Sequence, residues 1–435
     1  MFKQISQQLF NFIEKCPTAL HTVKTVEDKL VEAGFERLYE NEKWDIKEGG
    51  KYYVVRSMTS IIAFKYPKAN FNAFSIIAPH GDSPCFRVKE NPEIGVDKKY
   101  TKLNTEVYGG MQLNLWTDRT LSAAGRLLVK SENGVKAILV DLDRDLFVIP
   151  SLAIHMLRDA NEGFKMNPQV DTLPLFGGEK ADFLAITAEK ANISKEDILS
   201  FDMFLYNRAK GKLFGADEEF IICPKLDDLQ CAFSALTAFM NADNTENVTV
   251  CAIFDNEEIG SKTKQGADSS FLSDTLERIS QKAGKTIEEH KMAISGGFMV
   301  SADNAHAVHP SYPEKTDPTN RTYLNGGVVI KNNTNYATDS VSSAIFKTIC
   351  ERADVPFQIY FNRSDVRGGS TLGNISNSHV SINTVDIGAP QLAMHSPYET
   401  SGAKDTKYMV DAMTAFYQSV IKYKTGGEFE ILNGK

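Results

Sequence analysis

Residues 74–82 read Phe-Ser-Ile-Ile-Ala-Pro-His-Gly-Asp. The first five are nearly all apolar and few enough for an interior strand, and Pro79 stops the run. His80-Gly81-Asp82 therefore falls at a strand end, where open α/β sheets gather ligand-binding groups. An imidazole and a carboxylate two residues apart on extended chain share a side, so Asp82 can hold the ring of His80 in one orientation. The alternative reading of His80 is a satisfied structural histidine.

The same grammar returns downstream. Residues 248–254 form a buried strand pattern between helical patterns at 229–240 and 271–283, and 299–303, 326–331 and 386–390 are further strands with polar tips. Upstream, Phe10, Phe12 and Ile13, then Val26, Leu30, Val31 and Phe35, recur at helical period and predict two amphipathic helices. A strand-like stretch over 52–63 follows the Gly49-Gly50 turn. From about 91 to 222 the pattern shifts to short extended runs, among them 127–130, 136–141 and 183–187, with a helical candidate at 152–157. Helical periodicity over 408–423 predicts a terminal packing helix. The expected fold is α/β, a mixed central sheet flanked by helices, with a β-rich domain over 91–222 inserted between the parts 1–90 and 223–435.

Composition bounds the function. In 435 residues, Lys and Arg number 48 and Asp and Glu 56, a formal charge of −8 that gives no footprint for nucleic acid. No apolar run approaches the roughly 18 residues of a membrane span, and the first residues lack the apolar core and cleavage site of an export signal. Six cysteines without a CxxC pair read as reduced thiols, and the expected location is cytoplasmic. Dinucleotide, phosphate-loop and serine-elbow motifs do not occur.

The sharpest chemical signal is Phe254-Asp-Asn-Glu-Glu-Ile-Gly260, a hydrophobic strand ending in adjacent carboxylates. Two neighbours at such a turn can point apart, leaving Glu258 to bind a metal and Glu257 to take a proton; a solvated acidic turn is the plain alternative. In Leu226-Asp-Asp-Leu229, helix capping accounts for Asp228, while Asp227 gains interest beside a metal because its two oxygens can each engage an ion. Ser301-Ala-Asp-Asn-Ala-His-Ala-Val-His309 offers Asp303 as a ligand, or His306 and His309 as an i, i+3 pair on a helix face. Gln391-Leu-Ala-Met-His-Ser396 supplies His395 as a loop ligand, and Gly368-Gly-Ser-Thr-Leu-Gly373 reads as a substrate-side backbone loop.

The chain resembles the M18 metallopeptidases, the aspartyl aminopeptidase family, across nearly its whole length. The resemblance rests on Pro79-His-Gly-Asp-Ser-Pro-Cys-Phe-Arg-Val-Lys89, Tyr108-Gly-Gly110, Trp116-Thr-Asp-Arg119, Ala124-Gly-Arg126, Ile149-Pro-Ser-Leu-Ala-Ile-His155, Asp255-Asn-Glu-Glu-Ile-Gly260 and Ala389-Pro-Gln-Leu-Ala-Met-His-Ser396. It implies a metal-dependent aminopeptidase acting on peptides with a free N-terminus, possessing two divalent ions per subunit, with Zn2+ the first choice and Co2+ or Mn2+ alternatives. One ion would be held by His80, Asp227 and Asp303, the other by Asp227, Glu258 and His395. Glu257 would be the general base and Asp82 the residue orienting His80. Lys331, Asn114 and His306 are candidate substrate contacts, Lys331 as a partner for an acidic first residue. Asn114 stands where eukaryotic members carry a His-bearing pattern. The resemblance also implies a homo-oligomer, dimers assembling into a tetrahedral dodecamer. A related two-metal deacylase or carboxypeptidase, and a noncatalytic peptide-binding assembly, are the competing classes.

Overall fold

The computed structural model describes residues 2–68, 70–366, 368–369 and 371–434. Its centre is a mixed nine-stranded sheet. The four middle strands, Val248–Ile253, Phe74–Ala78, Phe298–Ala302 and Asn383–Gly388, run parallel to one another. All but the first residue of Asn383–Gly388 are buried in these strands, as a sheet covered on both faces demands. One apolar cluster, including the helices Phe2–Glu14, Leu226–Asn241 and Asp405–Tyr417, covers one side, and a second, including Phe271–Lys282, covers the other. Parallel strands end at the same edge. Here that edge carries His80 to Asp82, Asp255 to Glu258, Asp303 and the segment leading to His395.

A smaller five-stranded sheet frames this edge. It joins Phe220–Cys223 to Glu399–Gly402 and then to Pro390–Leu392, so the start of helix Leu226–Asn241 and the loop holding His395 lie together. Gly388 permits the close approach: a Cβ there would lie 2.0 Å from the Asp303 carbonyl oxygen.

The inserted unit is a β-barrel. Six of the seven strands between residues 85 and 207 close on themselves through the pairing of Ile198–Asn207 with both Cys85–Val96 and Thr120–Ser131. Phe86, Leu103, Leu121, Phe183 and Met203 fill its core, each burial of such a side chain contributing about 1.5–3 kcal/mol before entropic costs.

Local expectations fail where a neighbour or a cap overrides the pattern. Residues 183–187, read as extended, lie in helix Phe183–Ala191, whose N-cap Asp182 accepts a hydrogen bond from the Ala185 N–H. The helical candidate at 152–157 forms only turns. The stretch over 52–63 is two strands, Lys51–Arg56 and Ser60–Lys65, joined where Ser57 and Met58 adopt positive φ. The terminal helix ends at Tyr417, and Ser419–Tyr423 instead pairs with Phe429–Asn433.

Candidate metal centre

His80 leaves the sheet edge bridged to Phe254, which brings the two strand ends into register. Its Nε2 lies 3.4 Å from Asp227 Oδ1 and 4.0 Å from Asp303 Oδ1. On the other side, His395 Nε2 lies 3.5 Å from Asp227 Oδ2 and 3.3 Å from Glu258 Oε2. Three of these separations match the edge of a tetrahedron around an ion with bonds of about 2.0–2.1 Å, which is about 3.4 Å. Asp227 Oδ1 and Glu258 Oε1 are buried without a hydrogen-bond partner. Buried carboxylate oxygens left in this way are costly unless a cation completes them.

Among the described residues the ligand atoms form three overlapping groups that can hold metal ions: His80 with Asp227, Asp228 and Asp303; Asp227 with Glu258 and His395; and His80 with Glu257 and Glu258. Titration reflects the crowding of negative charge. Burial pulls His80 down, yet Asp228, Asp227 and Asp82 raise it well above 6.5. Burial likewise opposes the charge on His395, but Asp227 and its other neighbours raise it to about 9. Burial pushes Glu257 up to about 7, with Asp303, Asp82 and Asp227 adding to the rise while His80 opposes it.

Each candidate ligand is braced by a second group. Asp82 sits 3.3 Å from His80 Nδ1 through Oδ1, and its two oxygens accept from the N–H groups of Glu257 and Glu258, both at 3.2 Å. It therefore fixes the acidic turn as well as the histidine. The Tyr108 hydroxyl, at the end of barrel strand Tyr100–Tyr108, donates to Asp82 Oδ2 at 2.7 Å and accepts from Asn256 Nδ2 at 2.9 Å. The Gly110 carbonyl hydrogen-bonds His395 Nδ1. Glu399 accepts from the Asp227 N–H at 3.0 Å and the His395 N–H at 2.7 Å, tying a shared ligand to a terminal one.

Asp228 departs from its expected role as a simple helix cap. Asp227 and Asp228 have non-helical backbone angles, and Asp228 Oδ2 accepts from the His80 N–H at 3.1 Å. The pair His306 and His309 does not share a helix face: His306 ends the short strand Ala305–His306, and His309 Nδ1 accepts from the Ser311 N–H in a turn. Residue chemistry alone does not mark Glu399, Tyr108 or Gly110 as functional. Only the positions of Tyr108 and Gly110 inside a matching motif pointed to them.

A cavity of about 270 Å³ opens beside the cluster. Asp227, Glu257, Asp303 and His395 line one part, and His306, Lys331, Tyr336, Tyr360 and Thr371 line another. Lys331 is buried, with Nζ 3.1 Å from both Asp303 Oδ2 and the Asn304 carbonyl oxygen, so its charge is already shared within the chain. Asn114 lies apart from this lining, exposed in the short turn Leu113–Trp116 of the inserted unit. Of the glycine-rich run, Gly369 and Thr371 reach the cavity, while Ser370 lies outside the described residues.

The family described as Aminopeptidase I zinc metalloprotease (M18) matches residues 12–417. The chain belongs to the M18 family. A probable M18 family aminopeptidase 2 of Clostridium novyi is 45% identical over 428 residues, covering 95% of this chain and 98% of the relative. Among solved structures, that of the Ape4 and Nbr1 complex superposes with a TM-score of 0.92 at 35% identity, covering 96% of this chain and 86% of that one. The S. cerevisiae mApe1 dodecamer superposes with a TM-score of 0.84 at 26% identity, covering 96% and 97%. This M18 chain is a metal-dependent aminopeptidase with a di-metal site.

Proposed function

We propose that the chain removes N-terminal residues from peptides with Glu257 as general base, one ion held by His80, Asp227 and Asp303 and the other by Asp227, Glu258 and His395. The observation that carries this reading is the pair of oxygens of Asp227, which face His80 and His395 at 3.4 and 3.5 Å. Zn2+ fits the mixed imidazole and carboxylate donors, with Co2+ or Mn2+ compatible with the same atoms. When bound, the ions supply Lewis acidity toward the peptide carbonyl and lower the pKa of water.

Glu257 lines the cavity beside the candidate ligands, so it is placed to take a proton from the attacking water and return it to the leaving nitrogen. Asp82 orients His80 and holds the N–H of Glu257. The first substrate side chain lies toward Lys331 and His306. An ammonium has three donors, and two on Lys331 have partners in Asp303 and Asn304, which leaves one for an Asp or Glu side chain. Asn114 enters this reading only as a contact made outside the cavity lining.

An inserted unit between two catalytic parts, read as 91–222 between 1–90 and 223–435, is supported by barrel strands that run from residue 85 to 207, while Lys212–Phe214 and Phe220–Cys223 pair in the small sheet of the catalytic part. Exposed Leu152, Ile154, Met156, Phe164 and Val170 on the inserted unit support a homo-oligomer; that its dimers form a tetrahedral dodecamer is part of the same proposal. Among the described residues no helix is long and apolar enough to cross a membrane, and a cytoplasmic location is part of this proposal.

The test is a panel of aminoacyl-peptides differing in the first residue, assayed with Zn2+, Co2+ and Mn2+ separately and with Glu257→Gln. Fast release of Asp and Glu, lost in the variant, supports the whole reading. Preference for neutral residues contradicts the acidic assignment, and full activity of Glu257→Gln contradicts the general base.

A further inference from the structure

The cavity wall opposite the acidic turn is made of loops, and two of them converge on one carboxylate that the chemistry leaves unused. Asp386 lies fully buried in strand Asn383–Gly388, directly opposite Lys331 in the antiparallel register. Its Oδ2 accepts from the N–H groups of Ala337 at 2.7 Å and Thr338 at 3.2 Å. Its Oδ1 accepts from the Thr371 hydroxyl at 2.6 Å, and its own N–H donates to Thr338 Oγ1 at 2.8 Å.

The segments held in this way both line the cavity. Next to Ala337 stands Tyr336, whose ring faces Lys331 Nζ at 5.6 Å from its centroid, and Thr371 is itself a wall residue. The chain must come very near the carboxylate to be held. At Gly373 a Cβ would stand 2.6 Å from Asp386 Oδ1 and 2.9 Å from Ser301 Cβ, so a larger residue would displace the carboxylate or the loop. This gives the glycine at the end of the 368–373 run a physical reason that neither phosphate binding nor simple turning supplies.

We propose that Asp386 is a positioning residue for substrate binding, clipping the Tyr336 and Thr371 loops together so that the cavity wall is formed before the peptide arrives. Asp386 is absent from the cavity lining and from the groups able to hold metal, so its effect passes through Tyr336, Thr371 and Lys331. A wall ordered in advance removes the cost of ordering it at binding, which appears in KM more than in kcat. The proposal rests on the aminopeptidase reading of the same cavity.

The experiment compares wild type, Asp386→Asn, Thr371→Val and Thr371→Ser, each reconstituted with Zn2+. In Asp386→Asn the amide oxygen can keep the Ala337 and Thr338 N–H groups, but the NH2 can only donate to the Thr371 hydroxyl, so the charge-assisted bonds to both loops are lost; Thr371→Val removes one bond and leaves the carboxylate, which covers the case in which Asp386→Asn does not fold. The expected result is a KM for an unblocked peptide raised about tenfold in Asp386→Asn and about threefold in Thr371→Val, with kcat and bound zinc little changed and Thr371→Ser restoring KM. Unchanged KM in both variants, or a loss confined to kcat, overturns the proposal. If wild type releases no residue, the aminopeptidase reading fails instead. The clip is then decided by calorimetric binding of the same peptide: weaker in the variants if Asp386 preforms the wall, equal if it does not.

Discussion

The α/β part and the inserted barrel contribute to the metal centre in opposite ways. Every candidate ligand comes from the α/β part: His80 and Glu258 follow strands of the nine-stranded sheet, Asp303 follows another, and Asp227 and His395 flank the small sheet. The barrel supplies no ligand to these groups, only the Tyr108 hydroxyl on Asp82 and the Gly110 carbonyl on His395. The α/β part thus holds the ligands together with the braces Asp82 and Glu399, and the barrel adds orientation alone. A ligand is an all-or-none requirement, while a brace is graded, and variants should separate the two.

The largest effect is expected for Asp227→Ala, because Asp227 is shared by the group that contains Asp303 and the group that contains His395. Metal analysis should find both ions lost, with peptide release at background; retention of one tightly held ion would break the idea of a shared ligand. Glu257→Gln should lower kcat by about 10²–10⁴-fold while bound metal is unchanged, since it removes proton transfer alone. Loss of metal in that variant would move Glu257 from base to ligand.

Glu399→Gln should weaken metal binding by about 10–100-fold, as losses of groups behind ligands do. A glutamine oxygen can accept from the Asp227 or the His395 N–H but its amine cannot accept from the other. Competition with a chelator of known affinity measures the change. The smallest effect is expected for Tyr108→Phe. It removes the hydroxyl's bond to the Asp82 carboxylate and the bond it accepts from Asn256, together a few kcal/mol at most and less in turnover, because Asp82 keeps its bonds to Glu257 and Glu258. A Tyr108→Phe enzyme as inactive as Asp227→Ala would erase the distinction between ligand and brace.

This division also explains what could be read from the sequence. His80, Glu258 and Asp303 stand out as metal-competent side chains after apolar strand patterns, Asp227 and His395 as candidates at a helix start and in a loop, and the resemblance to the M18 family joins the five into a ligand set. The central strands are legible as buried strands because residues 74–78 and 248–253 are nearly all apolar, with Ser75 and Thr249 the exceptions. Of the braces, Asp82 is legible from its spacing to His80; Gly110 and Glu399 are not. Gly110 acts through a backbone carbonyl, which no residue type advertises, and Glu399 acts through two N–H groups far away in sequence. Asp228 looked like a helix cap because capping residues and buried positioning carboxylates have the same composition; only the backbone at 227–228 distinguishes them. Residues 183–187 looked extended because five residues are too few to tell a buried strand from a helix turn.

The most direct measurement is the initial rate of N-terminal residue release from one unblocked peptide and from its N-acetylated form, with metal-stripped protein and after Zn2+ is restored. The account predicts release only from the unblocked peptide and only with metal present. Equal cleavage of the acetylated peptide, or release that persists without metal, would contradict it.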